Sequence, residues 1–180
     1  EQVGAPLEHA GRDHGDHARN PDTILQYEQL KLKDAAVLIG VIDDPHEARM
    51  ILTQRTSKLR QHAGQIAFPG GGIDATDTSP EEAALREAEE EIGLDRRFVE
   101  TVGRLPQYLS GTGFRIQPVL SVVQPGFALT LNPDEVDSVF EVPLSFLMNP
   151  SNHRQDSRMW QGSVRHFYVM PYRERHIWGI

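Results

Sequence analysis

The sequence predicts an α/β fold: a central mixed sheet covered by helices on both faces. Three observations lead there. Residues 35–42 form an apolar run rich in β-branched side chains, the pattern of a central strand. Shorter strand-like runs follow it with few helical segments between them. Residues 80–92 carry helix signals at both ends.

The elements follow in order. Residues 1–21 are polar and read as an N-terminal arm. His9, Asp13, His14, Asp16 and His17 offer metal-ligating groups there, but a loosely packed arm suits the composition better. Residues 22–180 read as one domain, opening with a short helix over 22–32 and the strand over 35–42. Asp43-Asp44-Pro45 is a turn, and 49–54 is expected to pair back as a hairpin. Residues 65–68 make a short strand into a glycine loop. Strands are expected over 98–105, 116–124 and 136–142, with a flexible loop at Ser110-Gly111-Thr112-Gly113. Pro143 opens a short helix over 143–148, and 159–160 and 164–170 form a late hairpin across Gln161-Gly162-Ser163.

The helix over 80–92 is the most informative segment. Ser79 is placed as N-cap, Pro80 as N1 and Glu82 as N3 of a capping box. Gly93 is placed to end it in the left-handed conformation. Glu87, Glu90 and Glu91 stand at i, i+3 and i+4, on one face. Like charges so spaced destabilise a helix by roughly 0.2–0.5 kcal/mol per pair. A bound cation removes that repulsion, and hard carboxylate oxygens suit Mg²⁺ or Mn²⁺. A solvated acidic face would explain the charge, but not the glycines at 70–72 beside it, which let backbone approach a ligand closely.

Residues 86–94, Arg-Glu-Ala-Glu-Glu-Glu-Ile-Gly-Leu, resemble the second half of the Nudix box, G-x5-E-x7-R-E-U-x-E-E-x-G-U. Ala88 is a small choice at an aliphatic position. In the first half, Thr78 falls where the family has Glu, with Asp74 and Asp77 nearby in a loop one residue longer. Upstream, residues 51–71 are similar to L-L-T-x-R-[SA]-x3-R-x3-G-x3-F-P-G-G, the signature of the coenzyme A pyrophosphatase branch. Ile51 and Thr56 are the two departures.

The resemblance implies an α/β/α Nudix sandwich, with a closing helix beyond residues 176–180. It implies divalent cations held by Glu87, Glu90 and Glu91 together with the backbone carbonyl near Gly71. Arg86, on a different face of the helix from the acids, is expected in an internal ion pair that positions a box glutamate. By resemblance, the basic cluster Arg55, Lys58, Arg60 and His62 holds the CoA moiety, with Arg55 and Arg60 on phosphate oxygens. Gln65 has two readings, orienting a phosphate or metal-bound water, or stabilising a turn. A general base is expected from a later loop: Glu135, then Asp134, with Glu141 weaker. Phe114, Tyr108 and Phe68 are aromatic candidates for stacking on adenine, and core packing suits Phe68 better.

The reaction implied is hydrolysis of CoA or acyl-CoA to 4′-phosphopantetheine, or its acyl form, and adenosine 3′,5′-bisphosphate. The rivals are another nucleoside diphosphate (ADP-ribose, NADH, a dinucleoside polyphosphate) or a non-catalytic nucleotide-sensing domain. The intact acid triad speaks against the last.

Composition agrees. The 180 residues suffice for one domain that buries roughly 70% of its unfolded surface. There is no cysteine, hence no disulfide framework, thiolate metal site or thiol nucleophile. A net charge of −8 disfavours nucleic acid as partner, and no apolar run reaches membrane-spanning length. An acidic site also needs divalent metal between itself and a polyphosphate. The expected partner is therefore a small nucleotide, in a cytoplasmic protein; whether it dimerises is left open by the sequence, and the resemblance makes a homodimer one of the states to test.

Overall fold

The structure, a computed structural model, describes residues 15–20, 32–58, 62–160 and 162–178. The helix expected over 22–32 lies outside them except for Leu32, which is irregular.

The apolar run expected as a central strand is β1 (Lys33–Ile42), the hub of the main sheet. One edge pairs in parallel with β7 (Phe114–Val123) along ten residues, from Lys33↔Phe114 to Ile42↔Val123. Burial on both faces explains its near-continuous apolar sequence. Its other edge is shared. β4 (Gly70–Gly72) takes Ala35–Val37, and β2 (Arg49–Arg55) takes only Val41 and Ile42.

The hairpin across residues 43–48 is therefore much shorter than expected. β2 finds its long partner in β8 (Val136–Pro143), from Arg49↔Pro143 to Arg55↔Val136. β3 (Ile66–Ala67) takes Thr53 and Gln54 on the same edge of β2 as β1, opposite β8. β5 (Val99–Arg104) and β6 (Tyr108–Leu109) pair with β7. The turn between β6 and β7, expected to be flexible, is tied by hydrogen bonds. Ser110 is buried, its Oγ accepts from Phe114 N at 3.1 Å, and Gly113 N donates to Ser110 O at 3.1 Å.

The expected acidic helix is α1 (Pro80–Ile92), which covers one face of this sheet. Ala83, Ala84, Ala88 and Ile92 are buried against Ala36, Leu38, Ile51, Val119 and Val123. Alanines at the contact let the helix lie close to the strands. The other face belongs to Leu52 and Val142, which pack with Phe68, Phe140, Phe146, Met170, Tyr172 and Ile177. Ile51 and Leu52 point to opposite faces because side chains alternate along a strand.

This second face is covered by a short helix, α2 (Leu144–Met148), and a small antiparallel sheet. Its strands are β9 (Arg154–Trp160), β10 (Ser163–Tyr172) and β11 (Arg175–Trp178). The expected late hairpin is thus one part of a three-stranded unit. No described helix is long and apolar enough to cross a membrane.

Residues 15–20 do not lie loosely. Asp16 accepts from Tyr108 Oη at 2.6 Å and from Gly111 N at 2.5 Å. Asn20, buried, accepts from His166 N at 2.8 Å and donates to His166 O at 3.3 Å. This strap joins the β6–β7 turn to the small sheet.

Candidate active site

α1 is capped as its sequence predicts. Ser79 Oγ accepts from Glu82 N at 3.2 Å, and Pro80 follows at N1. At the other end Gly93 takes φ 66° and donates to Glu89 O at 2.9 Å. Both ends being settled, the register of the acids on the helix is settled too.

Glu91 faces inward, with 1% of its side chain exposed. One carboxylate oxygen accepts from Gly70 N at 3.1 Å, the other from Arg55 Nη1 at 3.0 Å. Burial raises its pKa, while the Gly70 bond and the Arg55 charge oppose the rise; the outcome is about 7. Glu87 lies one turn earlier, its pKa also raised, chiefly by burial. A Cβ at position 71 would overlap the Glu87 carboxylate, so glycine at 71 is a condition for placing this acid.

Glu135 arrives from a different element. Asn132 N donates to Glu91 O at 2.9 Å, fastening the 132–135 turn to the end of α1. Asn132 Nδ2 then donates to Glu135 Oε1 at 3.1 Å. Glu135 O accepts from Thr56 N at 2.9 Å, which sets the turn beside Arg55. As a result Glu87, Glu91 and Glu135 each offer a carboxylate oxygen within 4.8 Å of the others. Hard donors this close, partly withdrawn from water, fit a divalent cation.

Glu90 stands outside this group. It is 54% exposed and accepts from Arg86 Nη1 at 3.0 Å. Arg86 makes the internal ion pair expected of it, its guanidinium reaching Glu87 as well at 2.9 Å. Asp77 takes the Arg86 fork with both oxygens, at 3.0 and 2.9 Å, and Arg86 Nη2 donates to Gly72 O at 3.0 Å. That pairing holds the Asp77 pKa below the usual carboxylate range. Asp77, not Thr78, therefore supplies the loop acid that pairs with Arg86.

The basic segment is spread out. Arg55 points at Glu91, while Lys58 is exposed. His62 Nδ1 and Gln65 Oε1 pair at 2.8 Å, and Arg55 N donates to Gln65 O at 2.9 Å. Gln65 thus stabilises a turn behind Arg55. Arg60 lies outside the described residues. Of the other candidates, Asp134 is exposed and Glu141 pairs with Arg49 at 3.1 Å. Phe68 belongs to the second core cluster, Tyr108 is held by Asp16, and Phe114 meets the His62 ring edge-on. Asn132 was not singled out from sequence; its only signal is its place three residues before Glu135.

Residues 31–161 match the family model described as the NUDIX domain. The protein named Uncharacterized Nudix hydrolase NudL of Escherichia coli O7:K1 is 39% identical over 153 residues, covering 85% of this chain and 79% of that one. Its namesake from Salmonella paratyphi B is 38% identical over 156 residues, with 87% and 81% covered. Among solved structures, the Mycobacterium smegmatis Nudix hydrolase RenU superposes with TM-score 0.53 at 23% identity, covering 62% of this chain and 70% of that one. A Caenorhabditis elegans Ap4A hydrolase gives 0.53 at 17%, covering 62% and 80%. With the NUDIX domain matched over residues 31–161 and relatives 39 and 38% identical, this chain belongs to the Nudix hydrolase family. Enzymes of this family act on small nucleotide substrates and generally use divalent metal ions.

Proposed function

We propose that the chain hydrolyses the pyrophosphate bond of coenzyme A or acyl-CoA, releasing 4′-phosphopantetheine, or its acyl form, and adenosine 3′,5′-bisphosphate. The observation that carries this reading is the place of the segment similar to the CoA signature. Of its described residues, 51–58 and 62–71, Arg55 and Gly70 both meet the Glu91 carboxylate of the acid cluster.

Glu87 and Glu91 would hold the metal with Glu135 beside them, and Glu90 would add a ligand if released from Arg86. A bound Mg²⁺ or Mn²⁺ supplies polarisation of the phosphoryl oxygens and a water acidic enough to attack near neutral pH. Arg55 supplies a fork for a phosphate oxygen at the edge of the cluster. Glu135, on its own turn and steadied by Asn132, would accept the proton of the attacking water. Arg86 keeps Glu87 oriented while itself held by Asp77.

The test is incubation of the purified chain with CoA and Mg²⁺ or Mn²⁺, followed by chromatography of the products. Adenosine 3′,5′-bisphosphate should appear with metal and disappear with chelator or in Glu91→Gln. A panel of ADP-ribose, NADH and dinucleoside polyphosphates, ranked by kcat/KM, decides the substrate. Preference for one of these over CoA would overturn the assignment of residues 51–71. Near-normal turnover by Glu91→Gln at saturating Mg²⁺ would overturn the assignment of the acids.

A further inference from the structure

The small sheet has an open edge. β9 is its outer strand, paired among the described residues with β10 alone, and all seven of its residues are exposed. β10 fixes which way the β9 backbone points. His166 N donates to Asn20 Oδ1 and His166 O accepts from Asn20 Nδ2, so both groups turn away from β9. The pair His166↔Ser157 is therefore one of the non-hydrogen-bonded pairs of this ladder. Ser157 consequently turns its own N–H and C=O outward, and by alternation so do Gln155 and Met159. At that edge Ser157 N donates to the neighbouring side chain, Asp156 Oδ1, at 2.7 Å.

An open edge of this kind is a template for another strand, and the sequence of β9 is complementary to itself. Lay Arg154-Gln-Asp-Ser-Arg-Met-Trp160 antiparallel on a second copy, about a two-fold axis through Ser157. Gln155 then stands opposite Met159, Asp156 opposite Arg158 and Arg154 opposite Trp160. The outward-turned residues 155, 157 and 159 meet in hydrogen-bonded pairs. Asp156 and Arg158 meet in the other kind, where Cα atoms come to about 4.5 Å and side chains are closest. Opposite charges so placed stabilise a strand pair, and like charges destabilise it. Sliding one strand by two residues would set Arg158 opposite Arg158, or Asp156 opposite Asp156, so charge selects the register centred on Ser157. Both charges are available. Neither Asp156 nor Arg158 is in an ion pair with another described residue, and Arg158 faces a like charge, Arg165, across the hairpin. The same edge carries apolar surface to cover. Met159 and Val164, opposite each other, are 65% and 50% exposed, and Trp160 is 39% exposed.

We propose that β9 is a docking edge for a second copy of this chain, joined antiparallel about Ser157 so that two three-stranded sheets become one. On pairing, the Asp156 carboxylate leaves the Ser157 N–H of its own strand for the guanidinium of the second copy's Arg158. The freed N–H takes the second copy's Ser157 carbonyl, and Arg154 meets the face of the second copy's Trp160. The inference goes beyond the proposed function and is independent of the substrate. It names the surface and the register through which two chains meet, on the small sheet and outside both sequence motifs. A contact of one strand and its neighbouring side chains is small, so the dimer is a weak, concentration-dependent one.

Sedimentation equilibrium of the full chain, from micromolar to millimolar loading, should show a reversible passage from monomer to dimer. Asp156→Arg sets only basic groups against one another across the axis, and Arg158→Asp only acidic ones. Each alone should weaken the dimer about tenfold or more. Mixed in equal amounts the two variants are complementary and should form a heterodimer, read by native mass spectrometry, and the double variant should recover the homodimer. Ser157→Pro removes the central N–H without touching the β9–β10 ladder, because that N–H points to the open edge. It should abolish the dimer with the circular dichroism unchanged. Should a charge variant fail to fold, Ser157→Pro decides alone. A monomer at every loading overturns the proposal. So does a dimer unmoved by these variants, as does a failure of the two charge variants to complement each other.

Discussion

Glu91 is under opposing influences that a helical wheel does not show. Its position on the wheel marks it as an acid in a stripe; the fold removes it from water and gives it one backbone N–H and one arginine. Burial prevails, and the pKa moves from 4.5 to about 7. The folded state therefore keeps a proton that the unfolded chain gives up above pH 4.5. The stability linked to that proton is fully present below pH 4.5 and is lost as pH rises through about 7. At about 1.4 kcal/mol per pK unit the loss is of order 3 kcal/mol for a shift from 4.5 to about 7. Urea unfolding of chelator-treated protein from pH 4 to 8 should show the decline, and Glu91→Gln should flatten it. A wild-type profile with no decline over that window would contradict the burial account.

At the scale of elements, α1 works as a ruler whose ends are set by local chemistry. Ser79 and Pro80 start it, Gly93 stops it, and the acids between fall in a fixed register. Gly93 is needed twice over. Its φ of 66° is left-handed, and a Cβ there would come within 2.9 Å of Thr130 backbone N and O. Thr130 N donates to Ile92 O at 2.9 Å, so this contact leads into the turn that delivers Glu135. Gly93→Ala should cost about 1–3 kcal/mol from the backbone conformation. Through the displaced turn it should also lower turnover more than an equally destabilising change in the distant β5 edge would. Thermal unfolding alongside kcat at saturating metal checks both parts.

For the whole molecule, the strap of residues 15–20 is the least anticipated feature. A polar run with histidines and aspartates reads as a solvated arm, yet Asn20 completes hydrogen bonds of β10 at His166, and Asp16 secures the β6–β7 turn. β11 pairs with β10 only along Val169–Tyr172, so His166 lies beyond the reach of that pairing and Asn20 takes its place. Asn20→Ala should destabilise the chain by about 1–3 kcal/mol through unpaired backbone groups. Hydrogen exchange of the His166 amide should accelerate with it, and unchanged protection there would refute the role of the strap.

The sequence by itself determined what is local or periodic. The apolar run of β1, the caps and span of α1, the glycines beside the acidic helix and the Nudix resemblance all follow from residues near one another in the chain, because dihedral preference and helical spacing act over a few residues. The tertiary structure alone decided what depends on distant segments meeting. It drew β2 away from a simple hairpin toward β8, set Glu135 beside Glu87 and Glu91, turned Glu90 to Arg86, and gave Asp77 the place that counting assigned to Thr78. It also brought β11 against β3. Such choices are made by burial and hydrogen-bond satisfaction across the whole chain, and neither leaves a periodic trace in a single strand of sequence.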